Sequence, residues 1–196
     1  MKEIAVLNYN AGNIQSVLFA LERLNVKPVL TGDPDRLIKA DKIIFPGVGE
    51  ASTTMKYLRT HHLDEVIRAY TGPFLGICLG LQLMCRHSEE GDVDCLGVFD
   101  IPVVRFRDRQ GMKVAQMGWN TTRFADHDLL RGIPQDSFFY FVHSYYAAIA
   151  PATIGRTIYG VEFTSVLARD NYMATQFHPE KSGLVGHQLI ENFINL

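Results

Sequence analysis

A cysteine lies between two glycines in the segment PFLGICLGLQLM, residues 73–84. The apolar run before Cys78 is typical of a short, buried strand of a parallel sheet, and the run after Gly80 can form a helix. Cys78 would then occupy the turn between strand and helix, where flanking glycines permit close backbone approach. The N–H groups at the start of the helix favour a thiolate. The segment predicts either a nucleophilic cysteine or a glycine-rich turn around an inert thiol.

His178 is the best candidate for the base that such a nucleophile requires. It follows the stretch YMATQF and precedes Pro179 and Glu180. Because proline restricts the backbone, the imidazole and the carboxylate are held in a defined relation. A carboxylate there can orient the ring and stabilise its protonated form, as aspartate does in a serine triad. Alternatively, Glu180 only stabilises the start of the last helix. Together with the cysteine turn, the pattern favours a triad of Cys78, His178 and Glu180.

The remaining histidines and cysteines are weaker candidates. His143 lies between the aromatic stretch FFYFV and SYY, so we expect it to be buried or near the cleft, with a minor role. The other histidines are expected on the surface, namely His61, His62, His87, His127 and His187. Cys85 and Cys95 read as ordinary thiols. No metal-ligand spacing is present, and we expect neither a metal nor a cofactor.

Length and composition exclude several classes of protein. The 196 residues, of which 47% are hydrophobic, predict a single domain over residues 1–196. A net charge of −2 gives no electrostatic case for nucleic-acid binding. No apolar segment is long enough to cross a membrane, and the first residues read as a strand. Three cysteines, an odd number, suggest the reducing cytoplasm.

Strand and helix patterns alternate in the first half of the chain. Strands are predicted at EIAVLNY, KPVL, DKIIFPGVG and PFLGI, and helices at residues 13–25, 51–59, 63–70 and after Gly80. From about Val93 short strands with turn signals follow, including TIYGVEF and SVLARDN, before a helix over residues 184–194. We predict an α/β fold with a mostly parallel sheet flanked by helices and an antiparallel extension. NAGN, PGVG and the cysteine turn would meet beyond the carboxyl ends of the strands.

The segments GICLG (76–80) with Gln82, and QFHPE (176–180), resemble the signature of class I glutamine amidotransferases, which have a flavodoxin-like fold. PGVG (46–49), MGWN (117–120), YFVHSYY (140–146) and HPEKSG (178–183) are similar to the glutaminase subunits of imidazole glycerol phosphate synthase. The resemblance covers essentially the whole chain. One departure is at Ala115 and Gln116, where that family usually has proline and histidine.

The resemblance implies hydrolysis of glutamine to glutamate and ammonia. Cys78 would attack the amide, His178 would move the proton, and Glu180 would orient His178. The backbone of Leu79 and Val48 would form the oxyanion hole, and the glutamine pocket would include Gly49, Gln82, Ser144 and Tyr145. Glycines on both sides of Val48 would let its peptide turn its carbonyl group or its N–H group into the oxyanion site. We therefore expect a chain that is nearly inactive alone.

The same resemblance implies a heterodimer with the cyclase subunit, a (β/α)8 barrel. Ammonia would pass to the cyclase, which forms imidazole glycerol phosphate and AICAR in histidine biosynthesis. The residues that match positions near that interface are Asn13, Trp119, Tyr140 and Lys181. Three alternatives stay open: a related glutaminase serving another synthase such as an amino-sugar enzyme, a cysteine hydrolase or peptidase with the same turn, and a non-catalytic binding module.

Overall fold

The computed structural model describes residues 3–9, 14–107 and 113–196. Its α-helices are α1 (Gln15–Arg23), α2 (Pro34–Leu37), α3 (Ala51–Thr60), α4 (Leu63–Ala69), α5 (Leu79–Met84) and α6 (Gly183–Asn195). Two short 3₁₀ helices span Asp128–Leu130 and Pro179–Lys181. The strands are β1 (Ile4–Leu7), β2 (Val29–Thr31), β3 (Lys42–Phe45), β4 (Phe74–Ile77), β5 (His87–Ser88), β6 (Val93–Asp94), β7 (Pro102–Arg105), β8 (Gln116–Phe124), β9 (Ser137–His143), β10 (Tyr145–Ala147), β11 (Thr153–Tyr159), β12 (Val161–Arg169) and β13 (Tyr172–Thr175).

One sheet runs through the described chain in the order β2-β1-β3-β4-β13-β12-β10-β7-β5-β6. The strands from β2 to β13 in this order are parallel to their neighbours. From β13 onward the sheet becomes mainly antiparallel, through β12, β10 and β7. The paired strands β8 and β9 join it through β11. The predicted α/β fold with an antiparallel extension is confirmed.

Helices cover both faces of the parallel strands. On one face, α1 and α6 bury Val17, Leu21, Leu189 and Phe193 against Val6 and Leu75 of the sheet. On the other face, α3 to α5 bury Met55, Leu58, Ile67 and Leu81 against Leu7 and Phe45. Because β1, β3 and β4 are buried on both faces, they show no alternation: β1 and β4 are continuous apolar runs, and β3 is apolar after its first residue, Lys42. Their carboxyl ends, with that of β13, therefore meet at one edge between two layers of helices.

The structure differs from the sequence prediction in the second half. The stretch TIYGVEF, predicted as one strand, is divided between β11 and β12. Gly160 adopts φ 67°, which reverses the chain, and Tyr159 pairs with Val161 across the turn. A glycine is favoured there because a side chain disfavours positive φ. The short helix α2 also escaped prediction, although Asp33 caps it by accepting a hydrogen bond from the Asp35 N–H group at 2.9 Å. Among the described residues, no helix has the length and apolar character to span a membrane.

Candidate active site

Cys78 occupies a strained turn between β4 and α5. Its φ of 53° and ψ of −106° lie outside the regions that side-chain-bearing residues favour. The conformation is stabilised on both sides, because the Cys78 N–H group donates to the Thr175 carbonyl at 2.7 Å and the Cys78 carbonyl accepts from Gln82 N–H at 3.2 Å. The helix starts at Leu79, two residues earlier than the pattern indicates. The sulfur therefore lies directly at a helix start, as expected of a nucleophile elbow.

Glycines are required around this turn because other backbone passes within contact distance. A Cβ atom added to Gly80 would lie 2.4 Å from the Phe45 carbonyl oxygen. One added to Gly47, in the loop after β3, would lie 2.3 Å from Gly80 N and 2.3 Å from Ile77 O. These neighbours are backbone atoms, so they cannot move away as a flexible side chain can. The loop PGVG is thus packed directly against the cysteine turn.

His178 approaches Cys78 because β4 and β13 are adjacent parallel strands. Thr175, the last residue of β13, pairs with Ile77, the last residue of β4. The chain after each strand then leaves the sheet at the same edge. Strand β9 holds the His178 loop in place: His178 N–H donates to the Tyr140 carbonyl at 2.9 Å, and Tyr140 N–H donates to Ser182 Oγ at 3.0 Å. Ser182 Oγ in turn donates to the His178 carbonyl at 2.6 Å.

Glu180 is hydrogen-bonded to His178 as the sequence predicts. Its Oε1 atom is 2.7 Å from His178 Nδ1, and both side chains are almost fully buried. His178 Nε2 has no hydrogen-bond partner within the described chain. Burial by itself would lower the pKa of His178, but the charge of a Cys78 thiolate and the bond to Glu180 raise it to about 10. The imidazolium form is therefore favoured next to the sulfur, which is the protonation state of an activated cysteine–histidine pair.

A cavity of ≈ 330 Å³ opens over the sulfur. Its lining includes Cys78, Leu79 and His178 from the triad region, Gly47, Val48 and Gly49 from the loop after β3, and Ala115, Val142, His143, Ser144 and Tyr145 from the β8–β10 segment. Gln82, Glu90 and Lys181 complete it. Cys78 Sγ is 3.9 Å from the Val142 carbonyl oxygen. The volume suits a small, amino-acid-sized molecule held between loops at the carboxyl edge of the sheet. The described residues contain no cluster that could hold a metal ion.

Comparison with known proteins shows which family this chain is similar to. The family model for glutamine amidotransferase class-I matches residues 5–196. The imidazole glycerol phosphate synthase subunit HisH of Bacteroides fragilis (strain YCH46) is 53% identical over 99% of this chain and 100% of the relative. HisH of Yersinia pseudotuberculosis is 44% identical over 99% and 100% of the two chains. The chain belongs to the class-I glutamine amidotransferases, within the HisH family. This resolves the sequence resemblance in favour of that family.

Solved structures show the same fold at much lower sequence identity. A crystal structure of a glutamine amidotransferase superposes with a TM-score of 0.75 at 18% identity, covering 98% of this chain and 97% of that one. PurLQS from Thermotoga maritima superposes with a TM-score of 0.73 at 17% identity, covering 100% and 99%. The class-I glutamine amidotransferase fold is therefore confirmed.

In the loop after β3, the Val48 N–H group is hydrogen-bonded within the protein. Val48 N–H donates to the Tyr9 hydroxyl at 3.3 Å, and the same hydroxyl donates to the Pro46 carbonyl at 2.7 Å. Tyr9 is buried, and its ring contacts Phe45 edge to face at 5.2 Å. Gly49 has φ 128°, which a side chain would disfavour. Leu79 N–H, by contrast, lies at the start of α5 beside the sulfur.

Gln82 connects three parts of the site. Its Nε2 atom donates to the Tyr145 carbonyl at 2.8 Å and to Gln176 Oε1 at 3.1 Å. Gln176 Nε2 is in turn 3.8 Å from Cys78 Sγ. Both N–H groups of the Gln82 amide are therefore occupied by protein, and only its oxygen remains to face a ligand. Gly49, Ser144 and Tyr145, the other residues predicted for the pocket, all line the cavity.

The predicted interface residues that the structure describes lie on the outer side of the site. Trp119 is 56% exposed, which excludes a core role, and its ring contacts that of Tyr140 at 6.0 Å. Lys181 is exposed at the rim of the cavity. Asn13 lies outside the described residues. The predicted surface histidines are exposed or half-buried, and the cysteines are free and buried.

Sequence reasoning missed two residues of this site. Glu90 lines the cavity, and its carboxylate accepts from the Ala51 N–H group at 3.0 Å. Burial raises the pKa of Glu90, which the bond from Ala51 partly offsets. Tyr9 touches the loop after β3 from the end of β1. Neither residue belongs to a catalytic motif. The sequence signals only that each lies two residues after a strand, Tyr9 after β1 and Glu90 after β5.

Proposed function

We propose that this chain hydrolyses glutamine to glutamate and ammonia for the cyclase subunit of imidazole glycerol phosphate synthase. The observation that carries the proposal is the buried Cys78–His178–Glu180 arrangement facing a small cavity, in a chain 53% identical to a HisH subunit over its length. The family membership supplies the reaction class, and the geometry supplies a nucleophile, a base and an orienting carboxylate.

In the acylation step, the Cys78 sulfur attacks the carbon of the glutamine side-chain amide. The imidazolium of His178 then gives its proton to the nitrogen that leaves as ammonia, and a glutamyl thioester remains. Glu180 keeps the ring oriented through Nδ1, so that Nε2 faces the reacting atoms. In the second step, His178 takes a proton from water, which attacks the thioester and releases glutamate.

The tetrahedral intermediates carry an oxyanion, which requires N–H donors in place. Leu79 N–H is one donor, because it is at the free end of α5 next to the sulfur. Val48 N–H is the second, and it must leave Tyr9 to serve. The observed bond from Val48 to the Tyr9 hydroxyl supports a resting state in which one donor is withdrawn. We infer that partner binding favours the state in which this peptide has turned.

Polar groups at the far side of the cavity would hold the amino-acid end of glutamine. Glu90 provides a carboxylate for the substrate ammonium group, and its raised pKa reflects an environment that such a cation would relieve. The backbone groups of Gly49, Ser144 and Tyr145, with the Gln82 oxygen, would bind the carboxylate and the extended chain. This gives specificity for a free amino acid over a peptide, whose amino group is acylated.

The barrel-shaped cyclase is the partner proposed for the outer face of β8 and β9. Met117, Trp119 and Phe138 project from one face of these strands and are 72%, 56% and 59% exposed. Leu184, three residues after Lys181, is 88% exposed. Such a concentration of apolar groups is typical of a protein interface. It borders the cavity at Ala115 and Lys181, so ammonia has a short route to a partner seated there.

The alternatives lose support on specific grounds. A synthase of amino-sugar metabolism is less favoured, because the relatives at 53% and 44% identity are HisH subunits. A peptidase would need an open groove for a chain, whereas Glu90 faces the place of the substrate amino group. We also infer that residues 1–196 act as one domain, and that the free thiols suit a reducing cytoplasm.

The test is glutamate release by the chain alone, with the cyclase, and with the cyclase and its nucleotide substrate. We expect a low rate alone and an increase of about 10²–10³ in the full complex, the typical worth of one oxyanion donor. Product formation should require glutamine or added ammonium salt. Turnover of peptides in place of glutamine, or no association with the cyclase, would reject the proposal.

A further inference from the structure

Two buried hydrogen-bond acceptors lie on neighbouring strands beside the site. Gln116 on β8 and His143 on β9 are directly opposite each other in the antiparallel pairing, so their Cβ atoms are about 4.5–5.5 Å apart. Both residues are buried, at 3% and 6% exposure. Gln116 Oε1 and His143 Nε2 have no hydrogen-bond partner within the described chain. Buried polar atoms without a partner are uncommon and indicate a missing molecule or a functional role.

The tautomer of His143 makes Nε2 an acceptor. Its Nδ1 atom is 2.8 Å from the Tyr145 carbonyl oxygen, which can only accept, so Nδ1 carries the proton. The ring is enclosed by Phe106, Phe141 and Phe163, with centroids 5.2–5.7 Å away. Burial lowers the pKa of His143 to about 4. The hydrogen bond to Tyr145 acts in the opposite direction, and the nearby His178 acts in the same direction as burial. Nε2 therefore keeps its lone pair at neutral pH.

Two acceptors cannot satisfy each other, whereas one molecule that donates two hydrogen bonds would satisfy both. Water and ammonia are the molecules small enough to fit between opposed strand side chains. His143 adjoins the place where ammonia would be produced, because it lines the cavity and the carbonyl of the preceding Val142 is 3.9 Å from Cys78 Sγ. Both acceptors are neutral, so they favour NH3 over the charged ammonium ion, whereas a carboxylate would favour the ion.

We propose that Gln116 and His143 form a binding site for the neutral ammonia released from glutamine. Ammonia would donate one N–H to each acceptor and keep its lone pair and its nucleophilic character. The site lies on the inner face of β8 and β9, beside the cavity and behind the face that carries the exposed apolar side chains. This inference rests on the proposed glutaminase function.

The functional experiment measures, in the complex with cyclase, the ratio of cyclase product to glutamate and the ammonia lost to solution. Gln116→Met removes one acceptor at similar volume. His143→Asn removes Nε2 but retains an amide donor for the Tyr145 carbonyl. Because a neutral hydrogen bond changes occupancy by about fivefold, we expect the leaked fraction to rise severalfold in each variant. Thr122→Val is the control, since it removes a buried hydroxyl from the same strand at the Thr157 contact.

A direct measurement on the wild-type chain makes the inference independent of variant folding. The ¹⁵N resonance of His143 Nε2 is followed while ammonium chloride is added over a range of pH, with sodium chloride as the control. We expect a saturable shift that follows the concentration of NH3 rather than that of ammonium. The Gln116→Met variant should show a weaker shift.

The outcomes separate this inference from the proposed function. Absence of glutamate release in wild-type complex would reject the glutaminase function itself. Normal release with complete transfer in both variants would overturn only the ammonia site. A resonance that shows Nε2 to be protonated, or one that does not respond to NH3, would also overturn the ammonia site and leave a water site. If Gln116→Met alone, without ammonium, shifted the resonance as far as saturating NH3 shifts it in the wild type, the two side chains would be bonded directly to each other. That result would also overturn the ammonia site.

Discussion

The Tyr9 hydroxyl offers a sharp test of how the loop after β3 (PGVG, residues 46–49) is held. It accepts a hydrogen bond from Val48 N–H at 3.3 Å and donates one to the Pro46 carbonyl at 2.7 Å. Tyr9→Phe removes both bonds while retaining the ring that packs on Phe45 at 5.2 Å. The substitution therefore destabilises the state in which Val48 N–H is bound to Tyr9. It does not destabilise the state in which that N–H group can bind the oxyanion. We expect this substitution to activate the isolated chain.

The magnitude follows from the bond that distinguishes the two states. A neutral hydrogen bond contributes about 1 kcal/mol, which corresponds to about fivefold in an equilibrium constant. Glutamate release without the cyclase should therefore rise about fivefold in Tyr9→Phe. It cannot rise beyond about 10²–10³-fold, the worth of one oxyanion donor. The rate of the full complex should change little, so the stimulation by the cyclase should shrink by the same factor.

The assay is steady-state glutamate release at saturating glutamine, with and without cyclase. Tyr70→Phe is a matched control, because the Tyr70 hydroxyl is also buried and donates to the Ala40 carbonyl at 2.8 Å, away from the cavity. Tyr9→Phe should lose about 2 kcal/mol of stability for its two bonds and Tyr70→Phe about 1 kcal/mol for its one, but only Tyr9→Phe should gain basal activity. An unchanged or lower basal rate, with normal stimulation by the cyclase, would refute the reasoning.

Four further predictions concern the catalytic groups and stability. Cys78→Ala should release no glutamate yet support product formation in the complex from added ammonium salt; measurable glutamine turnover would exclude Cys78 as the nucleophile. Glu180→Gln should lower kcat by up to about 10⁴-fold with little change in KM, because the imidazolium loses its partner; a change in KM alone would contradict this role. Gly47→Ala should cost about 1–3 kcal/mol and abolish glutamate release, since its Cβ would lie 2.3 Å from Gly80 N; wild-type denaturant midpoint and activity would show that the loop does not depend on this contact. The pKa of His143 is about 4 in the folded chain and 6.5 in the unfolded chain, so the unfolded chain binds more protons between these two pH values. The free energy of unfolding should therefore fall by ~3 kcal/mol as the pH falls from 6.5 to 4. Urea titrations in which the His143→Asn variant loses as much stability over the same range would contradict this assignment.

The sequence by itself determined the candidate catalytic residues and the elements that carry them. GICLG indicated a turn between strand and helix, because two glycines around a cysteine after an apolar run have few other uses. QFHPE indicated a restricted histidine and a carboxylate at short range, and the structure has them 2.7 Å apart. The parallel half of the sheet followed from continuous apolar runs alternating with amphipathic helices. These are local signals, set by backbone preference and by the periodicity of burial over a few residues.

Only the tertiary structure decided which distant atoms meet. The pairing of Thr175 with Ile77 places the turns that carry Cys78 and His178 side by side, and no local pattern specifies that two strands so far apart in the chain are neighbours. The contact of Tyr9 with Val48 likewise depends on strand order at the sheet edge. The opposition of Gln116 and His143 depends on the register of β8 and β9, where a shift of one residue would turn either side chain to solvent. Such contacts come from the packing of whole layers, which is a property of the complete chain.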